Sequence, residues 1–463
     1  MAAEYNVERQ REYFRNGETK NLQFRKNALK SLLKNLEKYE VEILNALSQD
    51  LGKSSTEGYM TELMVLKGEI NYILKRIKRW AKPQKAANNF ALFPSKNYRY
   101  PEAYGVALIM SPWNYPLLLS LEPAVGAIAA GNCVVIKPSA YSPATSTIIA
   151  KIVAESFKPE HCTVVEGGRE ENAYLLEQEF DYIFFTGGTK VGKLVMSSAA
   201  KHLTPITLEL GGKSPVIIEQ SANIDLTAKR IVFGKLVNCG QTCVAPDYIL
   251  VPENKKDELI QSLIKWIETF YPQEKALDAK INIKDYPHIV NKKHFERIIK
   301  LLPATDAKEQ IEYGGQYDSE SLSIFPTILS NIDFSSPVMQ EEIFGPIFPI
   351  LTYKHLNEVI EHQKRLPKPL ALYLFTQKES IKKHILKELS FGGGCINDTL
   401  MHVAASEIPF GGVGNSGMGS YHGKASFDTF THYKSIVDRS TFFDPSIRYR
   451  PFTQLKKKIL RCL

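Results

Sequence analysis

The sequence predicts an α/β protein of two lobes, each a mostly parallel sheet covered by helices. Three observations predict it. From Gly105 onward, short apolar runs alternate with helix-length amphipathic segments, which is how parallel strands buried on both faces read. A second series of the same kind begins after Glu209. At 463 residues the chain is also long enough for more than one core. Hydrophobic residues make up 44% and charged residues 23%, so a disordered chain, a fibre or a disulfide scaffold is not expected.

Taken in order, Leu22, Leu29, Leu32, Leu33 and Leu36 recur at near-helical intervals, and residues 61–80 continue the pattern, so the chain opens helical. Pro83 and the Asn88-Asn89 pair interrupt it. The aromatic stretch from Phe90 to Tyr104 is expected to be extended. VALIM at 106–110, CVVIKP at 133–138, CTVVEG at 162–167 and DYIFFTG at 181–187 read as buried strands, with helices over 142–157 and 189–201 between them. SPVIIE, DYILV and a helix over 255–269 open the second series, and the lobes are expected to meet near 208–212.

The formal charge of +8 is dispersed. Its basic stretches, Lys75 to Lys85 and Lys456 to Arg461, follow helical patterns without interleaved aromatics, so no nucleic-acid partner is expected. The terminal KKKILRCL could rest on an anionic membrane surface but is far too short to span one; a solvated tail is the favoured reading. The longest apolar stretch, 116–136, is broken by Glu122, Pro123 and Asn132. The opening MAAEYNVERQ is polar, and the six cysteines suit free thiols in a reducing cytoplasm.

Three motifs carry candidate chemistry. In Cys239-Gly-Gln-Thr-Cys243 a thiol follows a glycine that permits a tight backbone near the sulfur. Taken alone it fits a buried structural cysteine as well as a nucleophile; a metal site is not expected, because no second ligand pair has metal spacing. Glu209, between leucines and before two glycines, suits a desolvated general base or a cap at a strand end. Asn114, stiffened between Pro112 and Pro116, suits an oxyanion donor or an ordinary turn residue.

PWNYP, FTGGTKVG, LELGGKSP, GQTCVAPDY, EEIFGP and PFGGVGNSGMG, in that order, resemble the aldehyde dehydrogenase superfamily over nearly the whole chain. SFGGGCIND and SFDTFTHYKS, with a short N-terminal region, resemble its class 3 branch of fatty and aromatic aldehyde dehydrogenases. The resemblance implies a Rossmann-like cofactor-binding domain (1–81 and 104–208), an α/β catalytic domain (209–418), a small β oligomerisation arm (82–103 and 419–440) and a basic C-terminal tail (441–463). It also implies NAD- or NADP-dependent oxidation of a medium- or long-chain aliphatic or aromatic aldehyde to its acid, by a homodimer.

By the same resemblance Cys243 is the nucleophile, Asn114 and the Cys243 backbone N–H stabilise the oxyanion, and Glu209 activates water against the thioester. Lys137, Gly187, Gly188, Thr189, Gly192, Glu342, Phe344 and Trp113 fall to the cofactor; Asn114, Tyr115, Asn397 and Phe410 fall to the aldehyde funnel. Leu117, Leu118 and Leu119 suit either its entrance or the core, and His402 reads as structural. Cys239 has no family role and lies one turn before Cys243 if the segment is helical; it reads as packing, with disulfide formation under oxidation the weaker alternative. Gly188 replaces a Ser or Asn frequent in the family, and Ala140 replaces a Glu that grips the ribose hydroxyls and repels a 2′-phosphate, so NADP acceptance is expected. The rival readings are a coenzyme A-acylating dehydrogenase, a cofactor-independent thiol esterase and a non-catalytic member.

Overall fold

The computed structural model describes residues 7–88, 92–272, 283, 285–303 and 309–461. Asn89 and Phe90, both named above, and the cysteine of the terminal KKKILRCL, Cys462, lie outside them. The helical opening consists of Leu22–Lys38, Glu40–Leu51 and Met64–Trp80. The first starts at Asn21, whose side chain accepts the Gln23 and Phe24 N–H groups at 2.8 and 3.3 Å. The second stops at Gly52 with φ 70°. Leu29, Leu32 and Leu36 are buried, while Leu33 is only partly so.

Apolar runs of the first series pair into a six-stranded sheet in the order Gly417–Met418, Ile206–Glu209, Tyr182–Thr186, Val106–Met110, Cys133–Lys137 and Cys162–Val164. All contacts are parallel except that of Gly417–Met418 on Ile206–Glu209. The chain thus returns to the first sheet after completing the second. That second sheet has seven strands, ordered Gln310–Tyr313, Thr327–Ser330, Ile347–Tyr353, Tyr248–Pro252, Pro215–Ile218, Ala371–Phe375 and Gly393–Ile396. A third sheet joins Gln84–Ala86, Ser95–Ala103 and Thr431–Arg439, the last two antiparallel over nine residue pairs.

Helix Pro116–Ala130 is central to the first lobe. Proline at its first position costs no hydrogen bond, and Gly131 with φ 103° ends it. Every residue but Leu118 is buried, so its sequence shows no polar face to read. Among the described residues no helix is long and apolar enough to cross a membrane.

This helix packs on the short helix Gly423–Thr429, and a Cβ at Gly126 would lie 2.7 Å from Ser426 Cβ. Gly126→Val is therefore expected to lower the urea midpoint, at a cost of about 1–3 kcal/mol. An unchanged midpoint would show that the two helices separate freely.

Candidate active site

After helix Ile224–Leu236 the chain does not continue as a regular helix. Asn238, Cys239 and Gly240 all take left-handed φ, at 54°, 54° and 74°. The expectation of Cys239 one helical turn before Cys243 is corrected accordingly. The left-handed run turns Cys239 into the core, where its thiol donates to the Tyr286 hydroxyl at 3.4 Å. A Cβ at Gly240 would lie 2.4 Å from the Gly345 carbonyl oxygen, so the positive φ and the close approach both demand glycine. Cys243 emerges half-buried from the turn.

Asn114 lies opposite, 2% exposed, on the loop that enters helix Pro116–Ala130. Its amide nitrogen donates to the Gln241 carbonyl at 3.0 Å, and its amide oxygen has no partner. Its backbone carbonyl accepts Lys53 Nζ at 3.0 Å and Asn238 Nδ2 at 2.7 Å. Lys53 in turn pairs with Glu62 at 2.6 Å, both side chains wholly buried. Glu62 uses its other oxygen to accept the Leu117 and Leu118 N–H groups at 2.9 and 3.1 Å. Neither Lys53 nor Glu62 carries a motif that would single it out in sequence.

Glu209 ends the strand Ile206–Glu209, 2% exposed, and neither carboxyl oxygen has a partner. Burial holds its carboxyl well above the ordinary carboxylate range. Glu342 rests against Gly211, where a Cβ would lie 2.1 Å from its Oε2, and burial followed by Asp247 raises it to about 8. The second glycine motif is thus what admits Glu342. Burial, then the charges of Glu342 and Glu209, push the Cys243 thiol up to about 12. Burial thus shifts all three groups toward their protonated forms.

A cavity of roughly 500 Å³ opens between the lobes, lined by Trp113, Asn114, Thr186 to Lys190, Glu209, Cys243, His294, Arg297, Glu342 and Phe344 among others. Trp113 meets Phe344 edge-on at 5.4 Å. Helix Thr189–Ala200 begins here at Gly188 with no side-chain cap, and a Cβ at Gly188 would meet nothing within 4 Å. Thr186, on the same wall, has a buried hydroxyl without a partner. An uncapped helix start in open space, an unpartnered hydroxyl and two aromatic walls fit a dinucleotide with its phosphates at the helix end.

Two residues assigned to the cofactor lie elsewhere. Gly192 packs the helix on its sheet, since a Cβ there would lie 2.7 Å from Leu210 Cδ2. Lys137 does not line the cavity; its amine donates to the Pro138 and Gly167 carbonyls at 2.7 and 2.6 Å, at the end of strand Cys133–Lys137. His294 and Arg297 line the cavity without having been singled out in sequence, because no pattern marks them; Thr186 lies within FTGGTKVG but is given no role of its own there.

A second cavity, of roughly 340 Å³, is lined mostly by apolar groups, including Met60, Met64, Leu118, Leu119, Phe233, Leu400 and Phe410. Tyr115 lines it too, with its hydroxyl 2.6 Å from Thr242 Oγ1. Leu117 is core, whereas Leu118 and Leu119 are wall. Asn397 is not brought to either cavity. Its side chain accepts the Thr376 N–H at 2.8 Å and donates to the Thr376 carbonyl at 2.9 Å, clamping two strand ends. His402 is buried 3.4 Å from Cys395 Sγ. Cys243 lines both cavities.

Replacing Lys53 leaves a buried carboxylate uncompensated and frees the Asn114 carbonyl. Lys53→Met is expected to destabilise the fold by about 3–5 kcal/mol. In the fraction that folds, kcat should fall more than KM rises; an unaltered kcat would show that Asn114 holds its place without Lys53.

The aldehyde dehydrogenase family model matches residues 1–436. The chain is 48% identical over 440 residues to 4,4′-diaponeurosporen-aldehyde dehydrogenase of Staphylococcus aureus, covering 95% of this chain and 94% of that one. It is 44% identical to aldehyde dehydrogenase family 3 member A2 of Rattus norvegicus, covering 98% and 92%. Among solved structures, a substrate-bound state of Staphylococcus aureus AldH superposes with a TM-score of 0.94 at 46% identity, covering 98% and 97%. A Mycobacterium tuberculosis aldehyde dehydrogenase complexed with NAD+ superposes at 0.84 with 26% identity, covering 95% and 90%. The chain therefore belongs to the aldehyde dehydrogenase family, in the company of its family 3 members, and is an NAD(P)-dependent enzyme that oxidises aldehydes.

Proposed function

We propose that the chain oxidises a medium- or long-chain aliphatic or an aromatic aldehyde to its carboxylate through a thioester on Cys243. The observation that carries this is the meeting of a mostly apolar tunnel and a dinucleotide-shaped cavity at a single thiol. Cys243, once deprotonated, adds to the aldehyde carbon and forms a C–S bond, leaving a thiohemiacetal oxyanion. The second N–H of the Asn114 amide and the Cys243 backbone N–H receive that negative charge. Phe344 and Glu342 would hold the nicotinamide of a bound dinucleotide, which would accept the hydride leaving the aldehyde carbon. With the C–H pair gone, the oxyanion closes to a thioester on Cys243. Glu209 takes a proton from water as the water oxygen attacks that thioester, and the C–S bond breaks to give the acid and regenerate the thiolate.

A carboxyl held neutral by burial, and close enough for its charge to raise the Cys243 thiol, suits this last step once it ionises. Both Glu209 and Cys243 act deprotonated and both are shifted upward. Activity is therefore expected to rise with pH between about 6 and 9. Glu209→Gln should give one burst of reduced cofactor per site, then turnover slowed about 100-fold or more, with Cys243→Ala giving no burst. Equal burst and steady rates in Glu209→Gln would remove Glu209 as the base.

We further propose that NADP is accepted. Ala140 is exposed and places no carboxylate where a 2′-phosphate would be repelled, and Lys137 is near. Of the two carboxylates felt by Lys137, Glu171 is engaged with the Gly168 N–H at 2.6 Å and Glu166 accepts from Thr147 at 3.0 Å. The arm sheet leaves the outer edge of Thr431–Arg439 unpaired among the described residues, with Ile436 and Val437 exposed on it. This open edge supports a homodimer paired through the arm. Ala140→Glu is expected to lower the NADP-to-NAD ratio of kcat/KM about tenfold. A ratio that does not move would place the discrimination elsewhere.

A further inference from the structure

Of the polar side chains on the mostly apolar tunnel wall, Thr61 donates to the Glu57 carbonyl and Thr242 meets the Tyr115 hydroxyl, while a further pair is made of ionisable groups. Glu122, on helix Pro116–Ala130, and His422, at the start of helix Gly423–Thr429, both line the tunnel. Their side chains are 4% exposed, with His422 Nε2 3.5 Å from Glu122 Oε1. Phe410 stacks on the His422 ring at 5.4 Å and Tyr421 meets it edge-on at 4.4 Å, so the imidazole cannot swing away. His422 is the side chain Glu122 pairs with. A buried carboxyl facing a cavity with hydrogen-bonding capacity to spare is costly unless something that enters the cavity uses it.

The charge state limits what can enter. Burial, then the nearby Glu69, raises the Glu122 carboxyl well above its ordinary range, and burial, then His402, lowers the His422 imidazole to about 3. Burial thus favours the uncharged form of both groups, which between them can donate and accept. The tunnel wall contains no lysine or arginine among the described residues, so it offers nothing to an anion. A neutral hydroxyl, which both donates and accepts, matches the couple; a carboxylate would be desolvated without a counter-charge.

We propose that Glu122 and His422 form a hydrogen-bonding subsite in the tunnel wall that selects neutral, hydroxyl-bearing aldehydes over plain alkyl and over carboxylate-terminated ones. The proposal rests on the aldehyde-oxidation reading above. A few polar groups placed in an otherwise apolar pocket are what orient a ligand there. Mutation data for one buried hydrogen bond correspond to a preference of about tenfold.

The test measures kcat/KM of the purified enzyme with saturating cofactor. It compares aldehydes of one chain length that are unsubstituted, hydroxylated at successive carbons, or carboxylated at the far end. Wild type should favour at least one hydroxylated isomer over the unsubstituted aldehyde about tenfold and reject the carboxylated one. Glu122→Met should abolish that preference, while Glu122→Gln, which keeps a neutral donor and acceptor, should retain most of it. No preference at any carbon in wild type overturns the subsite, as does a preference that survives in Glu122→Met. If Glu122→Met fails to fold, His422→Phe is read in its place: loss of the preference there supports the subsite, and its full survival overturns it. Failure to oxidise even the unsubstituted aldehyde would instead sink the aldehyde-oxidation reading.

Discussion

One carbonyl oxygen holds the active site together. The Asn114 backbone oxygen accepts Lys53 Nζ from the first lobe's helical opening and Asn238 Nδ2 from the loop that presents Cys243. The amide proposed to meet the oxyanion and the loop that carries Cys243, the proposed nucleophile, are therefore fastened to the same atom. Glu62 completes the arrangement by pairing with Lys53 while accepting two N–H groups at the start of helix Pro116–Ala130, where the helix dipole favours a negative charge. A wholly buried ion pair contributes little net stability, since desolvation offsets most of the attraction. What it supplies is registry: an apolar pair of equal volume would fill the space but hold no carbonyl.

The electrostatics of the site follow from having more acids than free cations. Glu209 and Glu342 sit within reach of Cys243, while Lys213 is engaged with Asp247 and Arg297 with the carbonyls of Glu342 and Ile343. Lys235 is buried nearby with no hydrogen-bond partner, and its amine is brought down to about 8, chiefly by burial. Burial is the main cause that shifts the carboxyls and the thiol toward their protonated forms. A resting thiol of this kind resists oxidation and stray alkylation, because the thiolate is the reactive species. Its activation must then come with the ligands that fill the two cavities.

Most of the fold was legible, because buried parallel strands announce themselves as apolar runs; all six runs singled out after Gly105 lie in the two large sheets. The motif residues Cys243, Glu209, Asn114, Glu342 and Phe344 do converge on one cavity. Three residues assigned to the site lie off both cavities: Asn397 spends its amide on Thr376, Gly192 packs its helix on the sheet, and Lys137 donates to the Pro138 and Gly167 carbonyls. Cys239 packs in the core, as read, but through a left-handed run that no spacing reveals. Lys53 escaped notice for a different reason. It acts across 61 residues on a backbone atom, and a buried lysine looks like any other lysine until the fold closes around it.

The arrangement also separates choices that evolution could vary alone. The atoms that react lie in the deep junction of two lobes, framed by backbone hydrogen bonds and by glycines that tolerate no side chain. The position proposed to discriminate the two dinucleotides, Ala140, is an exposed residue just beyond a strand end. The proposed aldehyde tunnel draws part of its wall from helical segments outside both sheets, with Met60 and Met64 from one and Met401 and Val403 from another. None of these four residues, nor Ala140, takes part in the hydrogen bonds at the Asn114 carbonyl or belongs to the Glu209 strand. Specificity for cofactor and for aldehyde can thus drift while the chemistry stays fixed, which is how one active centre can serve many aldehydes.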